Sequence, residues 1–355
     1  MASSAGADSR QFRAGRVVAE RIEEASNLDL CEAPNRSTGL ISEFAHSRGE
    51  LFNRSGASYL EFKLSLAPRY PRTWLNITGG YLALIMTAVA MMVVHAVPLL
   101  PAAVAVLLGA LSFGWWIHYL ILFFHEALHF NLAPTKQWND RLAAVFISPL
   151  LGFNVATFRD AHFEHHRHLG TPQDNEVSYF SALTPRFIVE SILGIRIVRA
   201  LVAKRRYLQH TQAPSAVAWP TLLSSAAFHG SVIGASLVAA QYALAIAWVA
   251  AMISVAPALN LIRQILEHRD FAAQSSTDYS RVVHGPVARI FGDGPLASTF
   301  GAAGFNRHLL HHLEPQISCT RLRELESFLN DTALATRLAV CRTTYWTTFV
   351  RLLRA

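Results

Sequence analysis

The sequence predicts an all-α integral membrane fold: four transmembrane helices in two hairpins, with a helical cap on the cytosolic side. Three observations lead there. Hydrophobic residues make up 52% of the 355 positions and charged residues only 15%, against about 25% charged in ordinary soluble domains. Two long stretches, 75–124 and 216–262, contain no Asp, Glu, Lys or Arg. Each is long enough for two helices of about 20 residues, and a charge at the centre of a span costs roughly 2.5–3.5 kcal/mol even on a lenient scale. Finally, all 31 Lys and Arg fall in three blocks, 1–72, 136–206 and 263–354, leaving 73–135 and 207–262 without one. Basic segments kept on one side of a membrane give this pattern. The net charge of +7 therefore reads as topology and attraction to anionic headgroups, not as nucleic-acid binding.

Taken in order, residues 1–72 read as a cytosolic N-terminal segment, partly disordered at its start and helical near Leu51–Leu66. The first ten residues have no basic run followed by an apolar one, so no cleaved leader is expected. The first two spans are expected at about 75–97 and 101–124, with the turn at Val97-Pro98-Leu99-Leu100-Pro101. Arg141–Phe153 is apolar but too short to cross, and reads as re-entrant or interfacial. Gly170–Asn175 reads as a loop. Arg186–Arg206 mixes apolar and basic residues as an interfacial amphipathic helix does. The second pair of spans is expected at about 216–238 and 241–262, turning near Ala239–Tyr242, with a kink at Pro257. The membrane domain, 73–330, would then end in a polar region, followed by a helical tail over 331–355. Cys31, Cys319 and Cys341 form no CxxC pair and read as inert thiols in a reducing compartment.

Nine of the 16 histidines lie in three short stretches: His125 to His129, His162 to His168, and His308 to His312. Within each, imidazoles recur at i, i+3 or i+4, so on a helix they share a face. Four spans return the chain to its starting side. The ends of spans two and four, carrying His125, His129 and His268, then meet the other two stretches on the basic side. Neutral imidazole binds Fe, Zn, Cu or Ni. Tetrahedral zinc takes four ligands, or three and water. Nine or ten ligands instead suit two ions of higher coordination number with open positions, and iron is the usual choice for oxygen chemistry at such sites.

At these residues the chain resembles the membrane fatty acid desaturase family, within the wider group of membrane di-iron desaturases and hydroxylases. The HxxxH box matches His125-Glu-Ala-Leu-His129, and the two HxxHH boxes match His162-Phe-Glu-His165-His166 and His308-Leu-Leu-His311-His312. Leu313-Glu314-Pro315 stands where the family often has Leu-x-Pro, and His268 matches an extra histidine near the end of the fourth span. The resemblance implies His125, His129, His162, His165, His166, His268, His308, His311 and His312 as ligands of two iron ions. It implies O2-dependent oxidation of an unactivated C–H unit in a fatty acyl or lipid substrate. Desaturation is the first expectation; hydroxylation, or desaturation of a less hydrophobic biosynthetic metabolite, is the alternative. Some members carry an Asn four residues before the extra histidine, reaching a metal through water, and Gln264 stands there. Glu126, Asp160, Asp174 and Glu267 are candidates to touch and orient the ligands. Trp115, Trp116 and Tyr119 are candidates for an apolar substrate channel, although lipid-facing aromatics read equally well. The chain has no His-Pro-Gly-Gly haem element and no GxGxxG. Electrons are therefore expected from a separate ferredoxin, rubredoxin or cytochrome b5-type donor, and a basic face would suit an acidic one.

His125-Glu126-x-x-His129 is also the HExxH of zinc metallopeptidases, with Glu126 as base. That reading leaves the other clustered histidines unused. A metal transporter would place its ligands within the spans, where only His95, His118 and His229 are available; packing or polar roles are expected of these. His168 falls outside the HxxHH pattern, and His46, His210 and His284 are scattered.

Overall fold

The computed structural model describes residues 38–97, 100–199, 202 and 218–355. The start of the N-terminal segment, Cys31, the turn residues Pro98 and Leu99, most of the basic end of Arg186–Arg206, and His210 lie outside the described residues. Among the described residues every regular element is helical, and β-pairing is limited to the isolated bridges Phe52–Ser58 and Ile290–Arg342.

Helices α1 (Thr38–Ser47) and α2 (Tyr59–Leu64) precede the first crossing. Span one is α3 (Tyr70–Ala96), and span two is α4 (Ala102–Ile121), continued after a break at Leu122 by α5 (Phe123–Leu128). Then come α6 (Lys136–Phe146), the short α7 (Ser148–Leu151), α8 (Val155–His168) and α9 (Pro185–Ile192). Span three is α10 (Trp219–Val238). Span four is α11 (Tyr242–Ala250), carried through a π-helical turn (Ala251–Val255) into α12 (Ala256–His268). The rest is α13 (Pro295–Phe300), α14 (His308–Leu313), α15 (Leu322–Asn330), α16 (Ala335–Val340) and α17 (Tyr345–Arg354).

These four helices are long and apolar enough to cross a membrane. Their outward residues are large hydrophobics, Leu75, Met86 and Val238 among them. Span two is central, with half of its most apolar window buried, whereas span three is peripheral at 11%. The second hairpin turns where expected: Ala240 takes a positive φ of 56°, and the Gln241 amide returns to the Ser236 carbonyl at 2.7 Å. Just before Pro257, where a kink is expected, the helix widens into a π-helical turn. Proline has no N–H to give the preceding turn, and a π-bulge absorbs the loss. The widened turn seats Val255 against Gly114, where an added Cβ would lie 2.4 Å from the Val255 Cβ.

Three boundaries differ from expectation. The helix that carries span four does not stop at 262 but runs to His268. Its first charge, Arg263, pairs with Glu267 one turn on, so the two charges offset each other within the helix. Span two likewise reaches Leu128 rather than 124. Residues 331–355 are not a separate tail. They form α16 and α17, and Tyr345, 4% exposed, is buried with its hydroxyl donating to the Phe305 carbonyl at 3.2 Å. α14, α15, α16 and the N-terminal α1 share one apolar core around Leu40, Phe44, Leu309, Leu325 and Leu338. This cap covers the ends of spans two and four.

Candidate metal centre

The end of α5 presents His125 and holds His129 just beyond it. A helix end leaves its last carbonyls unpaired, and here two side chains take them up. Arg159 donates from Nε to the Leu128 carbonyl at 2.9 Å and from Nη2 to that of Ala127 at 3.1 Å. Asn139 Nδ2 also donates to the Ala127 carbonyl, at 2.9 Å. Arg159 is in turn paired with Asp140 at 2.5 Å and lies over the Phe130 ring. The sequence reading missed Arg159. Its position three residues before His162, on the same face of α8, is the signal that would have found it.

α8 starts at the Asn154 cap, whose side chain accepts the Thr157 amide at 3.2 Å. Its inward face carries His162, His165 and His166. Asp160, two residues before His162, points the other way and is exposed, so it does not reach the ligands as expected. α14 contributes His308, His311 and His312, and α12 ends at His268.

The nine expected histidines converge. His125, His129, His162, His166 and His311 place their ring nitrogens within 4.8 Å of one another. The other four form two overlapping sets that share His268, one with His165 and His312 and one with His308 and Glu267. Eight of the nine are buried, and His166 is half-buried. In the first group the Nε2 atoms of His129 and His162 are 2.9 Å apart, those of His162 and His166 3.1 Å, and those of His166 and His311 2.9 Å. In the second, His268 and His308 are 2.9 Å apart and His308 and His312 3.1 Å. Neighbouring ligands of one ion, each at about 2.1 Å, are about 3 Å apart. A neutral imidazole has one N–H, so it cannot supply a hydrogen bond for every such contact. A shared ion fits the whole set. His125 fits too: both its nitrogens are buried without a hydrogen-bond partner among the described residues.

Groups behind the rings set which nitrogen faces inward. Asp174 accepts from Nδ1 of His165 at 2.9 Å, and the Val287 carbonyl from Nδ1 of His268 at 2.8 Å. Both therefore turn Nε2 to the centre. Tyr179 donates its hydroxyl to Asp174 at 2.6 Å and fixes that carboxylate. Burial, with neighbouring imidazoles, holds His129, His166, His308, His311 and His312 well below the ordinary histidine value. They are neutral near pH 7, as metal binding requires. His165 is the exception: burial lowers it, but Glu176 and Asp174 outweigh that and raise it. We expect Asp174→Ala to weaken retention of an ion at the second group by about 10–100-fold, read as metal release to a chelator; unchanged release would remove Asp174 from that role.

The remaining expected positions are distributed as follows. Glu267 is fully buried, paired with Arg263, and lies 3.8 Å from Nε2 of His308. Among the described residues Glu126 makes no hydrogen bond or ion pair with a histidine. It accepts from the Ser318 hydroxyl and the Cys319 amide, both at 3.0 Å, and so ties α5 to the turn after the third box. In that position it is not the base that an HExxH peptidase needs. Gln264 donates to Glu176 at 3.3 Å and accepts from Ser178. Trp116 lines an apolar groove of about 570 Å³ between α3 and α4, with Met86, Thr87, Met91, Leu108 and Gly109. Trp115 instead packs on Phe300, and Tyr119 donates to the Asn76 carbonyl at 3.3 Å. His118 bonds the Phe300 carbonyl at 3.0 Å, and His229 accepts from Trp248 at 3.3 Å. His168 turns outward to Glu164 at 3.2 Å.

The model of the fatty acid desaturase family matches residues 98–344, a stretch that holds all three histidine boxes and His268. No solved structure matches the chain.

Proposed function

Because the chain belongs to the fatty acid desaturase family, an oxidoreductase family acting on fatty acyl substrates from within the membrane, we propose that it is a membrane non-haem di-iron oxidase that desaturates a fatty acyl or lipid substrate. The observation that supports this reading is the convergence of nine imidazoles, five in one group and four in two overlapping sets that share His268, with neighbouring ring nitrogens about 3 Å apart. His125, His129, His162, His166 and His311 would hold one iron; His165, His268, His308 and His312 would hold the other. When bound, iron supplies the O2-dependent oxidation of an unactivated C–H bond.

The protein's own part is to bind, orient and dry the site. Phe305 packs on His125 at 4.6 Å between ring centres and on His308 at 5.1 Å, walling both groups. Arg263 sits over the same ring and holds Glu267. Asp174 and the Val287 carbonyl hold protons on Nδ1, leaving Nε2 free to ligate. The blocks of Lys and Arg on the capped side favour a cytosolic cap. Electrons would come from a separate ferredoxin, rubredoxin or cytochrome b5-type donor.

Two measurements test the proposal. Purified protein is expected to carry two iron ions per chain; one zinc and no iron would sink the oxidase reading. Mass spectrometry of lipids from an expressing host should show a product lighter by two hydrogens. A product heavier by one oxygen would instead make the enzyme a hydroxylase.

A further inference from the structure

Besides Glu267, which is paired with Arg263, a further carboxylate stands at the centre. Glu176 follows the second box by ten residues, beyond the reach of the box pattern. Its Oε1 lies 3.4 Å from Nδ1 of His162, and its Oε2 lies 4.0 Å from Nε2 of His165. The two histidines belong to different groups. His162 turns Nε2 to its own group, 2.9 Å from Nε2 of His129, so Glu176 meets its outer nitrogen. His165 has its Nδ1 on Asp174, so Glu176 meets the nitrogen that faces the ion. The carboxylate thus stands behind His162 of one group and beside the inward nitrogen of His165 of the other.

We propose that Glu176 is a tenth metal-binding residue, ligating the ion of the four-histidine group through Oε2 while Oε1 accepts the Nδ1 proton of His162. The 4.0 Å between Oε2 and Nε2 of His165 would let both reach one ion held between them at metal–ligand distances of about 2.1 Å. Carboxylate oxygen beside imidazole is a normal ligand set for iron. The group is also held in place. The Gln264 amide donates to Oε2 at 3.3 Å, and Ser178 fixes the other end of that amide. The Glu176 backbone N–H donates to Asp174 Oδ1 at 2.9 Å, so the loop that orients His165 also delivers Glu176. Gln264 therefore acts on a carboxylate here. One anionic side chain would join the two halves of the centre and make the second ion's site less purely nitrogenous than the first.

This inference rests on the di-iron reading, and the experiment separates the two. Iron per chain and its release to a ferrous chelator are measured on full-length protein in lipid nanodiscs. Glu176→Gln keeps an oxygen that can accept from His162 but loses the anionic ligand. It is expected to hold one iron firmly and to release the other at least about tenfold faster than wild type. Glu176→Asp should release it at an intermediate rate. In Glu176→Ala, added formate should slow release of that iron, whereas formamide should not. Glu176→Gln with both ions released at the wild-type rate would overturn the proposal, as would loss of both ions together. Wild-type protein without iron would instead take down the oxidase reading, and this inference with it. If Glu176→Gln fails to fold, the formate and formamide arms of Glu176→Ala decide.

Discussion

His311→Ala is expected to abolish substrate turnover, by at least about a hundredfold, while the protein still inserts into the membrane. His311 is buried in α14, with Nε2 2.9 Å from that of His166 and its ring 4.1 Å from His125 and 4.7 Å from His129. It is the one member of the five-histidine group that comes from the cap; the other four come from α5 and its end and from α8. Truncation removes one imidazole of the five-histidine group and the contact that joins cap to span end. No transmembrane residue is touched, so insertion should be unaffected. Product formation and iron content are the readouts, with His229→Ala as the contrast. His229 accepts a hydrogen bond from Trp248 in the spans and should leave iron content nearly unchanged. Undiminished product from His311→Ala would remove it from the site.

Gly170→Ala is expected to destabilise the protein by several kcal/mol, although residue 170 binds nothing. Gly170 has φ +87°, and an added Cβ would lie 2.2 Å from the carbonyl carbon of Gly285 and 2.3 Å from the nitrogen of Pro286. The left-handed conformation alone costs a side chain roughly 1–2 kcal/mol, and overlap with backbone cannot be relieved by turning a rotamer. The Gly170 carbonyl also accepts the amides of His284 and Gly285, both at 2.9 Å. This clamp joins the end of the second box to the segment whose Val287 carbonyl holds His268. The four-histidine group should therefore lose its ion before the five-histidine group does. A lowered thermal midpoint in detergent, with partial iron loss, is the expected result; an unchanged midpoint would show that the contact can shift at little cost.

Much of this arrangement was legible in the chain. Absence of charge marks the spans because nothing in a bilayer offsets a lone charge, and the boxes mark α5, α8 and α14 because imidazoles at helical spacing share a face. Where that reasoning failed, the cause was local. Arg263 was read as the end of span four, yet its partner Glu267 lets the helix continue to His268. Asp160 lies near the box in sequence but on the opposite face of α8. Glu126, inside the first box, is spent on Ser318 and Cys319, which come from far along the chain.

The sequence by itself determined the membrane class, the two hairpins and the set of nine histidines. These depend on composition and on periodicity within one helix, which short stretches specify. Only the tertiary structure decided which imidazoles belong together. Neighbours such as His165 and His166 go to different groups, while His125 and His311, 186 positions apart, share one. The helix period sets the direction of each ring and brings His162 to His166 and His308 to His312 within 3.1 Å, but the contacts between boxes, His129 to His162, His166 to His311 and His268 to His308, arise only where separate helices dock. The same docking makes Glu176, unremarkable in the sequence, a candidate to join the two halves of the centre.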